Sequence, residues 1–130
     1  MEPLILDASV LIALLDSADA HHNRSVDDVE AADRSGKPLL APASAYSEAL
    51  VAFARAQRVD EARAAIAAMG IAITPLDAHI AERAAQLRAR HQRLRLPDAI
   101  VLATADRLDG QLLTYDHRLA QVAAPPKRPR

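Results

Sequence analysis

Four apolar runs of strand length, each too short for a helix, punctuate this chain: Leu4-Ile5-Leu6, the proline-bracketed Lys37 to Pro42, Ile71-Ala72-Ile73-Thr74 and Gln111-Leu112-Leu113-Thr114. Segments of helical length separate them. Strands that alternate with helices pair side by side in parallel, so the expected fold class is α/β, a three-layer sandwich with a central parallel sheet of four or five strands and helices on both faces. A length of 130 residues suits one domain. Residues 1–122 are expected to form it, with 123–130 as a mobile tail, because the three prolines of Ala-Ala-Pro-Pro-Lys-Arg-Pro-Arg forbid a regular element.

The helical segments carry distinct patterns. Val10 to Leu15 is continuously apolar and reads as a buried helix entered through the turn Asp7-Ala8-Ser9, whereas His21 to Arg34 is polar and exposed, ending at Gly36. Ser44 to Gln57 sets Tyr46, Leu50 and Phe53 on one stripe, and Val59 to Met69 follows until Gly70 stops it. Asp77 caps a helix whose inner stripe is Ile80, Ala84 and Leu87. Pro97 opens a helix apolar enough to be central, which Gly110 ends, and Asp116 opens a last short one.

Composition excludes several chemistries. The chain has no cysteine, which removes thiolate zinc sites, iron–sulfur clusters, cysteine nucleophiles and disulfides, and is compatible with a reducing cytoplasm. Only three glycines are present and none forms a phosphate-cradling loop, so nucleotide-binding P-loop and dinucleotide folds are excluded. The five histidines share no metal-ligand spacing, and neither an export signal nor a membrane span is visible. A net charge of −1 conceals a dipolar chain: residues 1–65 sum to −5 and residues 66–130 to +4.

In an open parallel sheet, ligands bind beyond the carboxyl ends of the strands. Asp7 follows the first strand; Thr114 and Asp116 follow the fourth. Asp98 starts the helix leading into that fourth strand, and Glu48 lies one turn into the helix after the second, so four carboxylates are expected at one edge. Taken singly, Asp7, Asp98 and Asp116 each stand where a helix begins and read first as caps, and Glu48 as a solvated helix residue. Together, carboxylates in a partly desolvated cleft repel unless a cation intervenes. An oxygen-only donor set selects a hard divalent ion, Mg²⁺ or Mn²⁺, with Ser9 and Thr114 able to orient a carboxylate or a water. Arg88, Arg90, Arg93 and Arg95, with His91, precede Asp98 and read either as a basic rim for a phosphate backbone or as a solvated helix face.

The blocks Leu6-Asp7-Ala8-Ser9-Val10-Leu11-Ile12-Ala13, Ser47-Glu48, Leu96-Pro97-Asp98-Ala99-Ile100-Val101-Leu102-Ala103-Thr104-Ala105 and Leu112-Leu113-Thr114-Tyr115-Asp116 resemble, in order and interval, the motifs of PIN-domain proteins, in particular VapC-type toxins. The resemblance runs from about Pro3 to Leu119. It departs in the fourth block, where His117-Arg118-Leu119 lacks the aromatic that the family often carries. It implies a metal-dependent endoribonuclease in which Asp7, Glu48, Asp98 and Asp116 form an acidic quartet holding Mg²⁺ or Mn²⁺ and Ser9 and Thr114 are the accompanying hydroxyls. It also implies the toxin role of a type II toxin–antitoxin pair, a cognate antitoxin covering the site, and a homodimer. The competing reading is a catalytically silent PIN-like module that grips RNA or protein without cutting.

Overall fold

The computed structural model describes residues 1–123. In chain order the elements are β1 (Leu4–Leu6), α1 (Ala8–Leu15), α2 (His22–Arg34), β2 (Leu39–Pro42), α3 (Ala43–Arg55), α4 (Val59–Ala68), β3 (Ile71–Thr74), α5 (Ala78–Arg90), α6 (Leu96–Arg107), β4 (Gln111–Leu113) and α7 (His117–Ala123). The four strands form one parallel sheet in the order β3-β2-β1-β4, with Leu4 beside both Leu39 and Gln111. Successive strand side chains point to opposite faces, yet Leu4, Ile5 and Leu6 are all buried. Both faces of β1 are therefore covered, as a parallel sheet requires.

Two apolar clusters make the core. The larger joins β1 and β2 to α1, α2, α3 and one side of α6 through Ile5, Leu6, Val10, Leu11, Val29, Ala45 and Val101. The smaller packs α5 against α6 and α7 through Ile80, Leu87, Leu94, Leu102 and Leu119. Helix α6 contributes to both and is buried from Val101 to Ala105, as its apolar sequence predicts. No described helix is long and apolar enough to cross a membrane.

Several local expectations shift. Ile12, within the run read as wholly buried, is 40% exposed, because an eight-residue helix of period 3.6 must turn one position outward. On α3 the innermost positions are Ala45 and Ala49, which join Val10, Leu11 and Leu14 of α1 in the core, while Tyr46, Leu50 and Phe53 are only half-buried. Asp98 is not a cap but a first-turn residue of α6, where a negative charge suits the helix dipole. Of the expected tail, Ala123 ends α7 and the remainder lies outside the described residues.

The end of α6 differs most instructively. Gly36 and Gly70 occupy the left-handed region after α2 and α4, as helix-ending glycines should, but after α6 the left-handed residue is Asp109, at φ 49°. Gly110 follows and donates its N–H to Ala105 O at 2.9 Å, closing a Schellman turn. Its missing side chain serves packing: a Cβ there would stand 2.8 Å from Ile5 Cγ1 and 3.1 Å from Pro3 O. The bare backbone lets β4 lie against β1.

Gly110→Ala should therefore destabilise the fold by about 1–3 kcal/mol, the usual cost of overpacking. Asp109→Gly, which relieves a left-handed aspartate, should leave stability equal or raise it. Urea midpoints of the two variants check this; a neutral Gly110→Ala would show that the close approach is not limiting.

Candidate active site

The sheet order places a switch point beside β1: the chain winds outward through β2 and β3, then returns to place β4 on the other side of β1. Connections diverge there and leave a crevice at the carboxyl ends of β1 and β4. Asp7 leaves β1 into it and Thr114 leaves β4 into it. Their backbones meet first, with Asp7 N–H donating to Leu113 O at 3.3 Å.

Asp7 is 4% exposed and held from three sides. Its Oδ1 accepts from Ser9 Oγ at 2.6 Å and from the Val10 N–H at 3.1 Å, which also makes it the N-cap of α1. Its Oδ2 accepts from Thr114 Oγ1. Each hydroxyl is itself aimed by a backbone donor: Tyr115 N–H to Ser9 Oγ at 3.0 Å, and Asp116 N–H to Thr114 Oγ1 at 3.0 Å. A carboxylate offers about four lone-pair directions, and three are engaged among the described residues, which leaves one on Oδ2 for a further partner.

Burial pushes the Asp7 carboxyl above the ordinary carboxylate range; the Ser9, Thr114 and Val10 hydrogen bonds oppose it, and the neighbouring Asp98 charge adds to it. Glu48, half-buried on α3, is also pushed up, first by burial, then by Asp98 and Asp7, against a lowering by Arg95. Asp116 caps α7, accepting from Arg118 N–H at 2.9 Å and Leu119 N–H at 3.4 Å. Asp98 pairs with Arg95, Nε to Oδ2 at 3.3 Å.

The four acids are thus gathered at one edge but do not share one cavity. Asp98 and Asp116 line a cleft of about 450 Å³ together with His91, Arg93, Arg95 and Arg118. Glu48 lines a hollow between α1 and α3 with Ile12, Leu15 and Phe53. Among the described residues, no three His, Asp or Glu side chains stand close enough to enclose an ion. The donor chemistry nevertheless fits a hard divalent cation, because every candidate ligand is a carboxylate oxygen and Asp7 retains an open lone pair beside the charge of Asp98.

The basic rim divides. Arg93 and Arg95 line the cleft; Arg88 and Arg90, exposed on the last turn of α5, do not. Arg118 lines it and was not singled out by sequence, its one signal being its place two residues after Asp116. Sequence also gave no sign of the cluster that fixes Tyr115. Its hydroxyl donates to Asp28 Oδ2 at 2.8 Å, the Arg24 guanidinium lies 4.7 Å from its ring centre, and the His21 ring stands 5.0 Å away. That cluster binds α2 to the very turn whose backbone aims Ser9 and Thr114.

With this geometry in hand, likeness to known proteins is informative. The PIN domain family matches residues 4–125. The chain is similar to VapC20 of Mycobacterium tuberculosis, described as a sarcin-ricin loop cleaving toxin, at a TM-score of 0.73 and 20% identity over 97% of this chain and 99% of that one. It is also similar to a chain of a toxin–antitoxin complex from Klebsiella pneumoniae, at a TM-score of 0.70 and 27% identity over 87% and 86%. No curated protein matches the sequence.

The raised carboxyl of Asp7 has a definite sign in stability. The native state binds this proton more tightly than the unfolded chain, so stability falls as pH rises from the free aspartate value near ~4 through the raised folded value, and the loss is complete above it. Asp7→Asn should therefore be more stable than the parent at pH 7 and should flatten the pH dependence of the urea midpoint in that window. A less stable Asp7→Asn at pH 7 would mean that the three hydrogen bonds outweigh burial.

Proposed function

Because the chain belongs to the PIN domain family, we propose that it is a metal-dependent endoribonuclease that hydrolyses RNA phosphodiester bonds, acting as the toxin of a type II toxin–antitoxin pair. The observation that carries the reading is Asp7: a buried carboxylate held by Ser9 and Thr114 at the switch point, with Asp98 and Glu48 within its field. Burying a carboxylate is costly, and this one keeps an unfilled lone pair. A merely capping aspartate would not need two oriented hydroxyls.

In this reading Asp7 and Asp98 are the principal ligands of Mg²⁺ or Mn²⁺, Glu48 is a ligand or the base that orients water, and Asp116 acts directly or through water. Such an ion supplies the positive charge that acidifies water and stabilises charge building on the phosphoryl and leaving oxygens. The chain's own residues do the rest. Ser9 and Thr114 keep the Asp7 oxygens in place. Glu48, with its raised proton affinity, is suited to take a proton from water at its carboxylate. Arg93 and Arg95 on the cleft rim meet the RNA backbone, as their guanidinium geometry suits phosphate.

The resemblance to a subunit of a toxin–antitoxin complex supports a cognate antitoxin as partner. A homodimer and a cytoplasmic location complete the proposal. The second reading, a silent PIN-like module, draws on one observation: no three acids enclose an ion among the described residues.

Incubation of the purified protein with RNA and Mn²⁺ or Mg²⁺ separates the two. Cleavage should appear, disappear with a chelator, and fall by at least about 100-fold in Asp7→Asn and in Asp98→Asn. Cleavage that persists undiminished in both variants would remove the assigned site, and RNA retained intact under all conditions would favour the silent module.

A further inference from the structure

Of the four acids, Asp98 is the one that forms an ion pair among the described residues, and its partner Arg95 comes from the same cleft. The backbone on either side of Arg95 is fixed. Leu94 before it is buried in the α5–α6–α7 cluster, and Pro97 after it locks the first turn of α6. The side chain reaches into solvent: Arg95 is 65% exposed, whereas Asp98 is 19% exposed. A packed base thus carries a long, largely exposed arm whose charged end rests on a largely shielded carboxylate.

We propose that Arg95 is a built-in counter-ion of the acidic centre, which a divalent metal must displace and which, once displaced, holds an RNA phosphate. The inference rests on the assignment of Asp98 as a metal ligand. The guanidinium lies on Asp98 Oδ2, with Nε at 3.3 Å, so it occupies an oxygen of the carboxylate assigned to the ion. In the same cleft stands Asp116, the residue before α7, so one monovalent group faces two of the acids. A divalent ion brings more charge to the same oxygens, and two cations cannot share them without repulsion. The released guanidinium stands among Arg93, Arg118 and His91, with Asp116 as the other acid of the cleft. An incoming phosphate supplies the missing charge in a fork-shaped geometry that arginine matches.

The consequence is a trade between two affinities. Removing the arm should tighten metal and loosen RNA; a residue that merely supports the fold would weaken both. Calorimetric titration with Mn²⁺ alone should show Arg95→Gln binding roughly two- to five-fold more tightly than the parent, the range of one partly exposed ion pair. Arg107→Gln, which removes the same charge at the far end of α6, should bind as the parent does. In RNA cleavage, Arg95→Gln should need less Mn²⁺ for half-maximal rate while its KM for RNA rises, and Arg95→Lys should recover the metal competition more fully than the KM.

Mn²⁺ affinity that is unchanged or weaker in Arg95→Gln, with binding abolished in Asp98→Asn, would overturn this proposal and leave the metal site standing. Mn²⁺ affinity unchanged in Asp98→Asn would overturn both. Tighter Mn²⁺ with an unaltered KM would overturn the phosphate role.

Discussion

A single carboxylate, Asp7, organises the carboxyl edge of the sheet. It is buried, and burial works against its charge, yet two hydroxyls and one amide converge on it. Each hydroxyl has one proton to give. Because Ser9 and Thr114 accept from the amides of Tyr115 and Asp116, those protons are directed at Asp7. The arrangement needs α1 to begin at Ala8, β4 to end at Leu113, and the turn between β4 and α7 to present consecutive N–H groups inward. Cap, strand pairing and site are one network, so the usual opposition between a capping and a functional aspartate does not apply here. Asp7 is a cap whose second oxygen is used elsewhere.

Around this point the charges are layered. Asp7 lies innermost, Arg95 pairs with Asp98 outside it, and Arg93 and Arg118 edge the cleft. The near-neutral total of the chain is thus a cancellation across a short distance rather than an absence of field. A polyanion approaching such a surface meets the arginines before the carboxylates. Long flexible cations over short buried anions let attraction at the rim and repulsion at the centre coexist.

Much of this was legible in the sequence because the relevant signals are local. Strand-length apolar runs bounded by prolines, Asp77 three residues before Ile80, and the wholly apolar Ala99 to Ala103 each report their own surroundings, and the structure realises them. Position at the edge also followed, since the carboxyl ends of parallel strands lie together whatever their order. What escaped was set by contact between distant segments. Gly110 reads as a helix stop until Ile5 is seen against it; Tyr46 and Phe53 are larger than Ala45 and Ala49, but the core takes in the smaller pair. The Tyr115–Asp28–Arg24 cluster joins residues with no shared periodicity. How far the acids close on one point depends on angles between helices, which no spacing encodes.

The hydrogen bond from Thr114 to Asp7 spans 107 positions of sequence, and the one from Tyr115 to Ser9 spans 106. Synthesis proceeds from the other end, so Asp7 and its helix emerge long before the strand that completes them. Until β4 has been made and has paired beside β1, Asp7 lacks its second hydroxyl and Ser9 lacks the amide that aims it. Pairing across such a separation is also slow, because the loop entropy must be overcome before any contact compensates it. The acidic centre is therefore assembled only once β4 has been made: a ribosome-bound fragment that stops short of it holds Asp7 and Glu48 without holding the site.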